Sequence, residues 1–256
     1  KTPILLIFFN APVLLNFCTT SPWSIVFFFT YSLYCNICRS LLEKDKLMFS
    51  FLTTVRIAQG NSEIDYAEWY FLLTGGMVVE NKNRNPAKDW LSEKGWGEFC
   101  RLSDLPAFSG LRISISGEPD AWRKIYDSDD AETEPLPGDW NERLDTFKRM
   151  LVLRCIRPDK LELAVQNFII ESMGEQYVTP PPFNLPACFD ESAPLSPLVF
   201  VLSAGADPMT NLLKLASDMK MQVDSVSLGQ GQGPKAEKLM VDGKKNGTWV
   251  CLQNAH

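Results

Sequence analysis

"PLVFVLSAGADPMTNLLKLASDMKMQVDSVSLGQGQGPKAEKLMVDGKKNGTWVCLQN", residues 197–254, is the stretch that decides the fold. The apolar run 197–205 predicts a buried strand that ends in a turn, and 207–219 has the three- and four-residue steps of a helix. The pattern then repeats: a second strand at 222–229, a second helix at 234–246 and a third strand at 248–254. Strands alternating with helices of this length predict a parallel βαβαβ unit.

Such a unit raises the question of phosphate binding, because a strand-to-helix turn places backbone amides where an anion can sit. The turn "GQGQGP" carries Gly229, Gly231 and Gly233. Their spacing is G-x-G-x-G, whereas a dinucleotide turn needs G-x-G-x-x-G, and a P-loop ends in Gly-Lys-Ser/Thr where this chain has Gly233-Pro234. Pro234 also removes one amide donor. A structural strand-to-helix turn is therefore expected. The turn after the first strand, Ser203, Ala204, Gly205, Ala206, Asp207, Pro208, Met209 and Thr210, is the natural P-loop position, but it has no lysine and places Asp207 where phosphate charge would be repelled. At the end of the third strand, Leu252, Gln253 and Asn254 stand where a nucleotide hydrolase keeps its metal-binding and water-activating carboxylates. Amides cannot act as the base. No catalytic residue, cofactor site or metal site is expected in this segment.

The rest of the chain offers no alternative chemistry of equal strength. The only histidine, His256, is terminal, which excludes Ser–His or Cys–His catalysis in practice. Cys35 and Cys38 form a lone C-x-x-C inside an expected helix, too few ligands for a zinc site. The acidic stretch 127–139, with Asp127, Asp129, Asp130, Glu132 and Glu134, lacks the glycine and spacing of a calcium loop and reads as a solvated turn. Seven irregularly spaced cysteines read as reduced thiols. A net charge of −6 argues against a nucleic-acid surface, which requires a basic stripe.

Upstream of residue 181 the sequence is helical. One helix is expected over 29–60, and a second within 62–76 with Ser62 as N-cap, Asp65 as the third-position acid and Gly75–Gly76 as the stop. Shorter helices are expected in 89–105 and 118–128, and longer ones in 141–156 and, from Pro158, in 158–174. Trp69, Trp90, Trp96, Trp122 and Trp140 should anchor the loop-rich middle. The prolines of 177–186 predict an extended linker, and the clearest domain edge falls within 180–196. Residues 2–38 carry no charge, so an export or membrane segment in 1–30 is the competing reading of the N-terminus, although Pro3, Pro12 and Pro22 interrupt it.

With these residues in view, "FTYSLYCNICRSLLEKDKLMFSF", "FLLTGG", "LPAFSGLR", "MLVLRCIRPDKL", "PPPFNL", "PLVFVLSAGADPMTNLLKLA", "SLGQGQGPKAEKLM" and "GTWVCLQNAH" resemble, in order, the motor region of dynein heavy chains, nearest the axonemal (ciliary) branch. The resemblance covers residues 29–256 and leaves 1–28 outside it. It implies a mixed α and α/β chain: 29–180 as the helical region that closes the fifth AAA+ module of a six-module ring and leads into the sixth, and 181–256 as a linker and an incomplete, P-loop-like AAA+ half-domain. It implies that Ser203–Thr210 is a degenerate P-loop, that Leu252–Asn254 is a degenerate Walker B end, and that "GQGQGP" is a family feature. It also implies a parent motor that uses ATP and magnesium, neighbouring AAA+ modules as partners, dynein intermediate and light chains and microtubules in the parent complex, and a place in the cytoskeleton of a cilium or flagellar axoneme. Two other readings compete: a membrane-anchored interaction protein acting through residues 1–30, and a nucleotide-binding enzyme using the "GQGQG" loop.

Overall fold

The computed structural model describes residues 22–76, 83–180, 182–193, 197–202 and 207–254, with side chains from Phe28 onward. The chain divides into two compact units, one of Leu33–Pro181 and one of Lys1–Ser32 with Pro182–His256.

In Leu33–Pro181 the helices are the C-terminal part of α1 (Pro22–Cys38), then α2 (Glu43–Gly60), α3 (Tyr66–Thr74), α4 (Glu93–Leu102), α5 (Leu111–Gly117), α6 (Pro119–Asp127), α7 (Trp140–Arg143), α8 (Thr146–Ile156) and α9 (Leu161–Met173). The single helix expected over 29–60 is two. It breaks at residues 39–42, where Leu41 N–H closes a tight turn on Cys38 O and the Ser40 hydroxyl donates to Ile37 O, so local bonds replace the helical ladder. The start of α3 also differs. Asp65, not Ser62, is the N-cap, its carboxylate accepting from Ala67 N at 2.7 Å. Ser62 instead takes a left-handed turn with φ of 61°. Gly75 ends α3 in the left-handed conformation, as its position after an apolar run implies. The stretch 141–156 is likewise divided, because Asp145 caps α8 by accepting from Lys148 N at 2.8 Å.

α8 forms the centre of this unit. Its sequence "TFKRMLVLRCI" buries Phe147, Met150, Leu151, Val152, Leu153, Cys155 and Ile156, which spread around the helix and not along one stripe. A helix apolar on most sides needs neighbours on most sides, and α8 packs against α3, α4 and α9. Trp90, Trp96, Trp122 and Trp140 are buried as anchors, whereas Trp69 is only half-buried, its ring against Phe51. The indole N–H of Trp96 donates to Asn83 O and that of Trp122 to Ser114 Oγ, so neither ring buries an unbonded donor. α4 lies so close to α8 that a Cβ on Gly95 would come within 2.6 Å of the Cys155 carbonyl oxygen.

In the other unit, α10 (Leu185–Asp190), α11 (Pro208–Asp218), β1 (Val223–Ser227), α12 (Gly233–Asn246) and β2 (Trp249–Gln253) follow one another. β1 and β2 pair in parallel, Val223 opposite Trp249 and Ser227 opposite Gln253. α12 crosses between them, as a parallel pair requires. The expected first strand is absent from its described part: 197–202 is irregular, and Leu198, Val199, Phe200, Val201 and Leu202 are all exposed. An apolar run of this kind becomes a strand only when neighbours accept its ladder bonds and cover both faces. Among the described residues, β1 and β2 pair only with each other. α10 begins at the last two residues of 177–186, the stretch expected to be extended. Asn184 caps it by accepting from Ala187 N, and Pro186 lies in its first turn, where a missing N–H costs nothing.

Candidate functional site

The stretch expected to be a degenerate P-loop, 203–210, divides at Asp207. Ser203, Ala204, Gly205 and Ala206 lie outside the described residues, whereas Asp207, Pro208, Met209 and Thr210 form the entry to α11. Asp207 is the N-cap: its Oδ1 accepts from Met209 N at 3.0 Å and its Oδ2 from the Thr210 hydroxyl at 2.6 Å. The Thr210 bond, with the amides behind it, holds the Asp207 carboxyl below its ordinary range. The positive end of this helix therefore already carries a carboxylate. Pro208, at the first helical position, has no N–H to offer a second anion.

The Gly-rich turn joins β1 to α12. Gly229 N donates to Ser227 O and Gln232 N to Gly229 O, so these amides are used within the turn. Of the three glycines, only Gly231 has a positive φ, 79°. A Cβ on Gly229, Gly231 or Gly233 would meet no atom within 4 Å, so no close approach explains them. Gly233 and Pro234 open α12, and Gln232 caps it without a side-chain bond.

The structure brings this turn together with Leu252–Asn254, the stretch expected to be a degenerate Walker B end. Leu252 pairs with Val226 and Gln253 with Ser227 in the parallel ladder. Leu228 N donates to Gln253 O at 2.8 Å, and the Asn254 side-chain amide donates to Ser227 Oγ at 2.9 Å. Asn254, with φ of 55°, turns the chain out of the strand. An asparagine at this point makes a neutral bond across two strand ends, where a carboxylate would hold a metal.

The remaining candidates are dispersed. Cys35 is half-buried and Cys38 buried at the end of α1. The acidic turn is tied down through its backbone, with the Arg157 guanidinium donating to the carbonyls of Tyr126 and Ser128 and Lys160 donating to Asp129 O. Among the described residues, no group of three or more His, Cys, Asp or Glu side chains is placed to hold a metal ion. No helix of the described residues is long and apolar enough to cross a membrane; most of the apolar N-terminus, residues 1–21, lies outside them.

A cluster the sequence reading missed lies at the C-terminal end of α3. Arg154 of α8 donates from Nε to Leu72 O at 2.9 Å and from a terminal nitrogen to Glu98 of α4, while Arg101 Nε donates to Gly75 O at 2.7 Å. Two cations thus meet the last carbonyls of α3, where the helix dipole favours them. The arginine inside the apolar run "MLVLRCI" of α8 was the available signal, but nothing in the sequence named its partner.

Geometry and comparison agree on the class first. Residues 193–256, which contain α11, β1, α12 and β2, match the dynein heavy chain region D6 P-loop domain. The wider chain is 47% identical over 231 residues to dynein axonemal heavy chain 12 of Mus musculus, covering 89% of this chain and 8% of that one. It is 48% identical to dynein axonemal heavy chain 3 of Homo sapiens, covering 89% of this chain and 6% of the relative. Against dynein axonemal heavy chain 1 of Rattus norvegicus, identity is 44%, covering 90% of this chain and 5% of the relative. The chain is similar to axonemal dynein heavy chains over most of its length, and it spans less than a tenth of the length of these relatives.

Proposed function

We propose that this chain is a segment of an axonemal dynein heavy chain, a microtubule-based, ATP-driven motor of cilia, and that the segment is a structural part of the motor ring that does not bind nucleotide. In this reading, residues 29–180 close the fifth AAA+ module, and 181–256 contribute the linker and the first half of the sixth module's parallel α/β sheet. Its partners are the neighbouring modules of the same heavy chain. ATP, magnesium, microtubules and the intermediate and light chains belong to the parent motor, whose place is the axoneme.

The observation that carries the reading is the Asp207 carboxylate on Met209 N and Thr210 Oγ1, at the helix end where a P-loop would receive phosphate. The amides of Gln253 and Asn254 support it, since neither can bind magnesium as a carboxylate does or accept a proton from water. Titration of the 256-residue chain with a fluorescent ATP analogue and magnesium tests it. No saturable binding is expected up to high micromolar ligand. Micromolar affinity that is lost on joint substitution of Gly229, Gly231 and Gly233, with folding intact, would establish a nucleotide site in the turn and overturn the reading.

A further inference from the structure

Glu68 stands in the first turn of α3, on the side that faces α8, and is 7% exposed. Its Oε2 is buried without a hydrogen-bond partner. The nearest cation is Lys148 Nζ of α8 at 3.9 Å, beyond hydrogen-bonding range, and that ammonium is already hydrogen-bonded to Asp145. A buried carboxylate that has one distant, shared counter-charge and, besides it, the Asp65 backbone N–H as donor is only partly compensated. The contrast with the other end of the same helix is direct. There Glu98 is hydrogen-bonded to Arg154, and both arginines reach α3 carbonyls.

We propose that α3 is a pH-gated latch: protonation of Glu68 seats its first turn on α8, and loss of that proton loosens it. The charged groups around it are Lys148 and Asp145 of α8 and Asp65 at the cap of α3 itself, with the Arg154–Glu98 pair and Arg101 at the far end of α3. The α2 contact with α3 is made by Phe51 against Trp69, which carries no charge. Burial raises the Glu68 carboxyl above its ordinary value, and Lys148 and a hydrogen bond from the Asp65 backbone N–H only partly oppose this. In the open state the carboxyl meets water and titrates in the ordinary range near 4.3. Opening therefore releases a proton between the two values. The opening constant is lowest and flat below the ordinary carboxylate range, rises with pH until the seated carboxyl has ionised, and is flat above that.

Hydrogen exchange of the α3 amides in the 256-residue chain from pH 5 to 8, corrected for the intrinsic pH dependence of exchange, tests the latch. In the wild type the α3 opening constant should rise severalfold across this range while the amides of α9 keep theirs. Glu68→Gln, which preserves shape and removes the charge, should abolish the rise. Lys148→Met, which removes this counter-charge, should enlarge it and extend it to higher pH. A wild-type α3 with no pH dependence overturns the proposal. So does an unchanged rise in Glu68→Gln, or a rise that α9 shares.

Discussion

At the scale of single residues, the most constrained position is Gly75. Its φ is 75°, and a Cβ there would lie 2.7 Å from Glu98 Oε1 and 2.8 Å from a terminal nitrogen of Arg154. Gly75→Ala should therefore lose about 1–3 kcal/mol from backbone strain, with the displaced ion pair adding to it, as read from the denaturant midpoint. Arg154→Met leaves Glu98 buried without its cation and should cost about 3–5 kcal/mol; adding Glu98→Gln should recover much of that, and a denaturation double-mutant cycle measures the difference. Burial pushes the Cys155 thiol far above its ordinary value, with the Glu98 charge adding to the effect. A thiol reagent on the native chain should therefore label half-buried Cys35 and Cys188 well before Cys155, with the sites read by peptide mass mapping. Sequence signals located the stop at Gly75. They did not reveal the two arginines that fill the space beside it, because Glu98 and Arg154 lie 56 residues apart.

At the scale of elements, helices were legible wherever a cap or breaker stood next to an apolar period. Ser92 caps α4 through Gly95 N, Gly75 stops α3, and Pro158 precedes α9. Boundaries failed where two signals competed within a few residues, as with Ser62 and Asp65, and at 39–42, where an uninterrupted apolar period continues through a turn. The described part of 197–202 shows a different limit. Val, Phe and Leu give strand preference, yet a strand exists only when a ladder partner is present. Val199, 60% exposed, and its neighbours Leu198, Phe200, Val201 and Leu202 instead leave five consecutive apolar side chains exposed. Surfaces of this kind associate, so the chain should self-associate with concentration in sedimentation velocity. The double substitution Val199→Lys with Val201→Lys should shift it toward monomer without altering far-UV circular dichroism.

At the scale of the whole molecule, each unit is held in its own way. Leu33–Pro181 is organised around α8 and its buried tryptophans, so Trp96→Ala should cost about 3–5 kcal/mol in denaturant unfolding of that unit. In the unit containing Pro182–His256, a two-strand parallel ladder brings the Gly-rich turn beside Leu252–Asn254. The sequence alone determined the chemistry that is missing: a loop without lysine, a strand end with amides in place of carboxylates, and an acid where phosphate would sit. Those are properties of residue type, and no packing can supply a charge that is not encoded. Tertiary structure alone decided what the encoded groups do with each other. It joined Asn254 to Ser227 across the strand ends, seated two arginines on the end of α3, and left Glu68 buried beside a lysine that bonds elsewhere. Each of these depends on the distance between residues far apart in the chain, and that distance is a property of the packed whole.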